Sequence, residues 1–252
     1  MEKLFLNILG FAAATILLGC KKELQKYDSK PAVYFAEAGK QITKLSEIPT
    51  DSTVMSFSLS KNQDSIVSMI INIIGPKQNT DRPYKLIINT ASNAIAGTSY
   101  QILNSAFVIR KNQLSDTVKI KFFRRTEMLT KTFLLNFELQ ENEHFSTNMK
   151  TRLIESTKKN ISMINYRLFI NDITQKPLFW LDGYFGPFSR KKLFLMSEVL
   201  GVEPTKLATQ LSIGEFNAYG RFVQRYLNEQ RLAGKTIYED DGSEMTMGPT
   251  VQ

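Results

Sequence analysis

Two residue types that carry much enzymatic chemistry occur once each in this chain, as Cys20 and His144. A Ser-His-Asp or Cys-His arrangement uses a histidine as its general base, so His144 would have to supply it. His144 lies in the polar stretch 141–145, after a regular alternating segment, and we interpret it as an ordinary loop histidine. One histidine and one cysteine are also too few for a zinc site of common type.

The carboxylates give no stronger indication of catalysis. A glycosidase needs two of them flanking its substrate, one kept protonated, and no spacing in this sequence singles out such a pair. A carboxylate-dependent hydrolase acting on a glycan or peptide therefore stays an alternative. Glu239-Asp240-Asp241-Gly242 offers oxygens to a calcium ion but lacks the alternating ligands of an EF-hand loop, so we favour a solvated turn.

The residues before Cys20 predict that its thiol is modified. Lys3 is followed by an apolar run from Leu4 to Leu18, which is shorter than the ~20 residues that span a bilayer. A basic start, a short apolar stretch and a small residue at the cleavage site are typical of a secretory signal. Leu17-Leu18-Gly19-Cys20 resembles a bacterial lipobox, which implies a diacylglycerol on Cys20 and an acylated amino group. The alternative is a cleaved signal followed by a free thiol.

Aromatic residues of the C-terminal part are the candidates for ligand binding. Four of them fall close together among glycines and a proline: Trp180, Tyr184, Phe185 and Phe188. Sugar rings stack on flat aromatic faces, and a loop would present such faces to solvent. The alternative, which we favour, is that these rings pack the C-terminal part against the rest of the protein.

The net charge of +8 raises the question of an anionic partner. Most lysines and arginines are scattered and indicate solvated faces, and we expect no nucleic-acid binding. Arg190-Lys191-Lys192 lies at the predicted start of a helix, where cations are slightly disfavoured. An anionic partner and an exposed face both remain open for this run, as does attraction to an anionic membrane surface.

Short alternating segments predict the fold class of most of the chain. Strands are predicted at 33–36, 55–59, 66–74, 84–88, 106–109, 118–122, 133–139 and 166–170. The segment 66–74 is apolar on nearly both faces, as a central strand would be. The polar stretch 140–160 is ambiguous. Many short strands with no helical period between them predict a mainly β protein, an antiparallel β-sandwich.

From about residue 176 the periodicity becomes helical. Ser189 predicts the N-cap of a helix that ends before Gly201, and Ser212 with Glu215 has the spacing of a capping box at the start of a longer helix. The predicted divisions are a signal at 1–19, a lipid anchor and tether at 20–30, a β-sandwich domain at 31–175 and a small helical module at 176–252.

A series of short motifs runs through the chain after Cys20. They are Tyr27-Asp28, Val33-Tyr34-Phe35, Gly75, Asp81-Arg82-Pro83-Tyr84, Thr90-Ala91, Gly97-Thr98-Ser99-Tyr100, Pro177-Leu178-Phe179-Trp180, Tyr184 to Lys192, Asp240-Asp241-Gly242, Met245 and Met247. In their order and spacing they resemble the domain-of-unknown-function 4843 family, found in lipoproteins of Bacteroidota-type bacteria. The middle segment also resembles a Calx-beta-type or immunoglobulin-like sandwich.

The resemblance implies a role beside an outer-membrane importer of the starch-utilisation type (SusC/SusD-like), with a glycan or peptide as ligand. It supplies no catalytic residue. Surface-directed members often carry an acidic patch after the lipid cysteine, whereas Lys21-Lys22-Glu23 follows here, so the side of the membrane stays open. We expect a non-catalytic, lipid-anchored outer-membrane accessory component of such an uptake complex, facing the cell exterior and using no cofactor or metal. A purely structural scaffold is the first alternative.

Overall fold

The described part of the chain is a series of short strands followed by helices. The computed structural model describes residues 29–40 and 48–252, so the predicted signal and Cys20 lie outside the described residues. The strands are β1 (Ala32–Phe35), β2 (Ser52–Ser56), β3 (Asp64–Ile74), β4 (Arg82–Pro83), β5 (Lys85–Ile88), β6 (Tyr100–Ile102), β7 (Val108–Ile109), β8 (Ser115–Phe123), β9 (Phe133–Gln140), β10 (Thr151–Ile154), β11 (Lys159–Ser162) and β12 (Asn165–Asn171).

Eight of these strands form two four-stranded sheets. The first sheet has the order β1-β3-β8-β6 and the second the order β2-β12-β9-β5. All neighbours in the first sheet are antiparallel, with Met69 opposite Val118 in the central pair. In the second sheet the edge strand β2 runs parallel to β12, with Val54 opposite Phe169. The fold class is the predicted mainly β sandwich, with one parallel pair at its edge.

Inward-facing residues of both sheets form one core. The alternation that predicted β8 and β9 places one side chain in two against the opposite sheet, where each buried aliphatic or aromatic residue contributes about 1.5–3 kcal/mol. The buried strand residues include Val33, Phe35, Met69, Ile71, Ile73, Tyr100, Val118, Ile120 and Phe122 from the first sheet, and Leu135, Phe137, Leu139, Tyr166, Leu168 and Ile170 from the second.

β3 differs from the prediction for residues 66–74. It lies between β1 and β8, as expected of a central strand. Its second face is nevertheless open to solvent, with Ile66, Ile70 and Ile74 exposed by 56%, 43% and 41%. An antiparallel sheet commonly has one packed face and one solvated face, so the apolar composition of β3 does not require a second covering layer.

Two short ribbons complete the β structure. β4 pairs with β7, and β10 pairs with β11, both antiparallel. The second ribbon falls in the stretch 140–160, whose structure the sequence left open. Its Ile154 and Ile161 pack with Ala38 and Met163 in a small satellite core.

Helices dominate the C-terminal part. The helical segments are α1 (Ala36–Gly39), a 3-10 turn (Thr126–Leu129), α2 (Asp182–Phe185), α3 (Arg190–Leu200), α4 (Pro204–Leu207) and α5 (Ile213–Leu232). Among the described residues, no helix has the length and apolar character needed to cross a membrane.

The predicted helix caps are confirmed. The Ser189 hydroxyl accepts a hydrogen bond from the Lys192 amide, and Gly201 ends α3 in the left-handed conformation with φ 65°. At α5 both halves of the capping box form, because Ser212 accepts from the Glu215 amide while the Glu215 carboxylate accepts from the Ser212 amide.

A second core lies among the helices and the C-terminal segment. Residues from α3, α4 and α5 pack there with side chains from the segment that follows α5. Its buried members include Trp180, Phe185, Leu193, Met196, Leu207, Phe216, Val223, Leu227, Met245, Met247 and Val251. Residues 31–252 together group as one compact unit.

A buried carboxylate joins the helical part to the sandwich. Asp172, directly after β12, has a side chain only 3% exposed. Arg124 donates to both of its oxygens at 2.8 and 3.0 Å, and Arg190 from α3 donates to one of them at 2.7 Å. Arg124 also donates to the backbone carbonyl of Ser60 at 2.9 Å. We call Arg124, Asp172 and Arg190 the arginine clamp.

The arginine clamp lies at the end of the first sheet where β3 begins, since Asp64 of β3 pairs with Phe123, the residue before Arg124. The other end of the same sheet is where the chain enters it, because Ala32 of β1 pairs with Ile74. The helical part and the start of the folded chain therefore attach at opposite ends of the first sheet.

Candidate ligand-binding cleft

A cleft of about 350 Å³ lies between the start of α3 and the turn near the C-terminus. Its lining combines one aromatic ring with carboxylates, hydroxyls and a lysine: Pro187, Phe188, Ser189, Lys192, Glu239, Asp240, Asp241, Ser243, Glu244 and Thr246. The two walls are about 50 residues apart in sequence, so the cleft exists only because the C-terminal segment packs against the helices.

Ser189 and Glu239 connect the two walls. The Ser189 hydroxyl, which caps α3, also donates to Oε2 of Glu239 at 2.6 Å. This bond uses the one proton that the hydroxyl can donate, while its oxygen accepts from the Lys192 amide at 2.9 Å. The floor of the cleft is therefore held in a fixed geometry.

Lys192 is a buried cation with its partners in place. Its side chain is 3% exposed, and Nζ donates to the Pro187 carbonyl at 3.0 Å and lies 3.2 Å from Oε1 of Glu239. The Glu239 side chain is 14% exposed. A buried charge is costly unless it is paired and hydrogen-bonded, and the contacts to Glu239 and to the Pro187 carbonyl offset that cost for Lys192.

The basic run Arg190-Lys191-Lys192 thus has a different explanation from both of those considered from sequence. Arg190 belongs to the arginine clamp, Lys192 pairs with Glu239, and Lys191 lies 3.8 Å from Asp240 with both side chains largely exposed. Each cation at this helix start faces a carboxylate of the protein itself. The run is a set of internal contacts and not a free patch for an anionic partner.

The turn 239–243 forms the other wall. Asp241 accepts from the Ser243 hydroxyl at 2.6 Å and from the Ser243 amide at 2.9 Å, and these bonds hold the pKa of the Asp241 carboxyl below its usual range. Gly242 has φ 85°, a conformation that suits glycine, as the sequence predicted for a turn. In residues 29–40 and 48–252, no group of three or more His, Cys, Asp and Glu side chains is placed to hold a metal ion.

The four aromatic candidates have separate positions. Trp180 and Phe185 are 3% and 0% exposed, and their rings meet edge to face at 5.1 Å between centroids. The Trp180 indole N–H donates to the Gly186 carbonyl at 2.8 Å. Tyr184 is half-buried against Phe216, with ring centroids 5.7 Å apart.

The structure therefore places Trp180, Phe185 and Tyr184 in the helical core, where a sugar could not stack on the first two rings. Burial leaves Trp180 and Phe185 as packing residues, because the C-terminal segment closes over them, whereas ligand binding by the half-buried Tyr184 stays a prediction. Phe188 is the exception. It packs edge to face on Trp180 at 5.0 Å and also lines the cleft.

The cleft suits a ligand rich in hydroxyl groups. Asp240, Asp241 and Glu244 are exposed carboxylates that accept hydrogen bonds, and Phe188 offers an apolar ring beside them. Sugar recognition commonly combines such acceptors with an aromatic face. The excess of carboxylates over the single lysine disfavours an anionic ligand.

Two further features lie outside the cleft. His144 lies in the loop after β9, with its ring 3.6 Å from Glu143, and it does not line the cleft. A second cleft of about 410 Å³ lies near the arginine clamp, between the loop after β2 and the start of α4. It has no aromatic lining: Leu59, Ser60, Lys61, Asn62, Ser197, Glu203, Pro204 and Thr205.

Sequence reasoning missed most of the cleft. The capping position of Ser189 was visible in the sequence, but its bond to Glu239 was not. The signal that could have indicated a site was the density of acidic residues at 239–244 combined with a glycine turn, opposite a basic helix start. Charge complementarity between distant segments is, however, too common in sequences to identify a pair.

One comparison with known proteins, against models of protein families, identifies the family of this chain. The family model described as "Domain of unknown function (DUF4843)" matches residues 27–202. The motifs at 240–247 lie beyond that match, so the family likeness extends less far than the sequence motifs suggested. No curated protein matches the chain.

Solved structures give distant likenesses. A putative carbohydrate binding protein from Bacteroides ovatus aligns at 7% identity and TM-score 0.35, covering 57% of this chain and 38% of that one. The Pseudomonas aeruginosa CupB2 chaperone aligns at 7% identity and TM-score 0.28, covering 48% of this chain and 53% of that one. This chain thus aligns with less than two thirds of either structure, and at these TM-scores neither bears on function.

Proposed function

We propose a function for this chain, which belongs to the DUF4843 family of domains of unknown function. It is a lipid-anchored, non-catalytic accessory protein of an outer-membrane nutrient-uptake complex, and it binds a neutral glycan in the cleft between α3 and the C-terminal turn. A peptide ligand and a purely structural scaffold are the outcomes against which the proposal is tested.

The observation that carries the ligand part is the composition of the cleft. Phe188 offers a half-buried ring, and Asp240, Asp241 and Glu244 offer carboxylate oxygens on the facing wall. The Ser189–Glu239–Lys192 contacts hold the two walls together before any ligand arrives. Such preorganisation reduces the entropy lost on binding, which favours recognition of a weakly binding sugar.

The lining residues support binding more than catalysis. A glycosidase needs a general acid with a raised pKa, whereas the pKa of Asp241 is lowered by its bonds to Ser243. Lys192 is not placed to activate Ser189, because its Nζ contacts Glu239 and the Pro187 carbonyl. The Ser189 hydroxyl is itself bonded to that carboxylate. These residues therefore act as fixed acceptors and donors.

The anchoring part rests on the lipobox-like Leu17-Leu18-Gly19-Cys20. β1 pairs at the end of the first sheet opposite the arginine clamp, and the cleft residues lie far along the chain from Cys20. Association with an importer of the SusC/SusD-like type follows from the family resemblance, and outward exposure would give the cleft access to nutrients.

Isothermal titration of the detergent-solubilised lipoprotein against neutral oligosaccharides and peptides tests the ligand part. We expect a glycan to bind, and we expect Phe188→Ala to weaken it about tenfold through loss of ring contact. Asp241→Asn keeps the oxygen that the turn needs and removes one charge, so it should weaken binding without unfolding the turn.

Phe222→Ala is the matched control, since Phe222 is a 46% exposed ring on α5 that does not line the cleft. Peptide binding with no glycan binding would contradict the glycan proposal and identify a peptide as the ligand. Absence of any binding, together with co-purification with a barrel transporter and its lid, would support the scaffold instead.

A further inference from the structure

The outer side of the first sheet carries a row of exposed aliphatic residues. Ile66, Ile70 and Ile74 alternate out of β3 on the side away from the core, and their exposed fractions are 56%, 43% and 41%. Leu103, whose amide donates to the Lys119 carbonyl at 2.9 Å, extends the same side past β8 and is 42% exposed. We call these four residues the isoleucine face.

A single exposed isoleucine is ordinary, but a row along one strand is not. The nine residues from Ile66 to Ile74 span about 27 Å at the rise of an antiparallel strand. Between Ile66 and Ile74 the polar residues on this side are Ser68 and Asn72, and Asp64 lies on the same side at the start of β3. Apolar surface of this extent loses contact with water when another surface covers it, which favours a docked state.

Lysines lie beside the isoleucine face. In the register of β3 and β8, Lys121 is opposite Ile66 and Lys119 is opposite Ser68, so both project from the same side of the sheet. Lys119 is exposed, while Lys121 forms an ion pair with Asp64, with 2.8 Å between Nζ and Oδ2. Aliphatic side chains flanked by lysines are typical of surfaces that rest at a lipid headgroup boundary, where ammonium groups meet anionic lipid.

The position of the tether favours a membrane as the occupant. β1 begins at Ala32, directly opposite Ile74, so the chain from Cys20 joins the sheet at one end of the isoleucine face. The eleven residues 20–30 reach at most about 40 Å when fully extended. Acyl chains on Cys20 would hold the Ile74 end of the face within that distance of the bilayer, where a high effective concentration makes weak contacts sufficient.

We propose that the isoleucine face docks on the surface of an anionic bilayer, with Lys119 and Lys121 at the headgroups. This inference rests on the proposed lipidation of Cys20. It orients the body: β3 lies along the membrane plane, and the second sheet faces away from the lipid. The lipid anchor then holds the protein at the membrane, and the isoleucine face fixes its orientation on the bilayer.

Site-specific fluorescence of the full lipoprotein tests the orientation. Ser68→Cys places one label in the middle of the face, and Val54→Cys places one on the second sheet at a site 63% exposed. With Cys20 acylated, each variant carries a single reactive thiol. In vesicles containing phosphatidylglycerol and doxyl-labelled lipid, we expect several-fold stronger quenching at position 68 than at 54.

Two further variants make the test specific. Ile66→Thr with Ile70→Thr keeps β-branched residues in the strand but removes apolar surface, so the quenching at 68 should fall to the level at 54. Lys119→Glu should reduce the quenching in anionic vesicles and leave it unchanged in neutral ones. A thermal melt of each variant checks that the fold is retained.

The outcomes separate this inference from the proposed function. An acylated protein, verified by the mass of its N-terminal peptide, with equal quenching at both positions would overturn the docking and leave the anchor intact. An unacylated Cys20 would overturn both the docking and the lipid anchor of the proposed function. A change at position 68 that appears without vesicles and grows with protein concentration would indicate a second copy on the face, which also overturns it.

Discussion

Replacing Asp172 by asparagine should destabilise the protein more than any comparable surface change. The carboxylate is 3% exposed and receives three charged hydrogen bonds from Arg124 and Arg190, at 2.7 to 3.0 Å. Asparagine has nearly the same shape but no charge, and its amide group must turn one N–H toward a guanidinium. The substitution leaves two arginines, which are 15% and 22% exposed, without their counter-ion.

Breaking a buried ion pair by removing one partner costs about 3–5 kcal/mol. Because both guanidinium groups retain some contact with water, we expect the lower end, about 3 kcal/mol. For a protein of this size that corresponds to a fall of about 6–12 °C in Tm. Urea unfolding and calorimetry measure the two quantities independently.

The arginine clamp also connects the two cores, so its loss should affect cooperativity. Arg124 donates a hydrogen bond to the Ser60 carbonyl in the loop after β2, and Arg190 is the first residue of α3. Both arginines are held by the same Asp172 carboxylate. We expect the Asp172→Asn protein to unfold in two steps, with the helical part melting first. Fluorescence of Trp180 reports the helical core, and far-ultraviolet circular dichroism reports the whole molecule.

Asp81→Asn is the matched control, since Asp81 makes a similarly short bond of 2.7 Å to Arg110 but at an exposed site. Exposed ion pairs contribute little, so this variant should melt like the wild type. Equal stability of Asp172→Asn and Asp81→Asn would refute the reasoning, because the clamp would then be no stronger than a surface pair.

Three further predictions concern other parts of the molecule. Burial raises the pKa of Asp51, but bonds from the Ser162 amide and Arg167 outweigh it and lower that pKa. The stability that Asp51 contributes is therefore present above the unfolded pKa of about 3.9 and is lost as the pH falls through the lower folded pKa. In acid denaturation, the free energies of unfolding of the wild type and of Asp51→Asn should therefore become equal at low pH. A Cβ on Gly248 would collide with backbone carbonyls of α2, so Gly248→Ala should lose about 1–3 kcal/mol in urea unfolding. A Cβ on Gly214 would meet only the Ser212 hydroxyl, at an ordinary contact distance of 4.0 Å, so Gly214→Ala should be neutral or stabilising. Arg82 is 1% exposed, and its Nε and Nη1 have no hydrogen-bond partner among the described residues. Because burying such a group costs free energy, Arg82→Met should match or exceed wild-type stability in urea unfolding. A loss above about 1 kcal/mol would mean that other contacts of the guanidinium outweigh the cost of burying it.

Local features of the sequence predicted the fold well. The caps at Ser189 and Ser212 were predicted because a cap depends on residues within one helical turn. The strands were predicted from the alternation of apolar and polar residues, which indicates only that one side of a strand is less exposed to solvent than the other. For that reason the open side of β3 was not foreseen, since Ile66 and Ile70 look the same in sequence whether covered or exposed.

The candidate site was predictable only in part. Phe188 was among the aromatic residues singled out, but the sequence could not separate it from Trp180, which the C-terminal segment buries. Lys192 was seen as part of a basic run, and its partner Glu239 lies 47 positions away. Pairings at such separation depend on how the segments fold back, and a single sequence does not encode them in any local pattern.

The most direct test of ligand binding in the cleft uses the protein's own tryptophan. Trp180 is the single tryptophan, and Phe188 packs on its edge at 5.0 Å while lining the cleft. Titration of neutral oligosaccharides should therefore produce a saturable change in Trp180 emission that disappears in Phe188→Ala. A glycan that binds by calorimetry yet leaves this emission unchanged in the wild-type protein would contradict the assignment of the cleft.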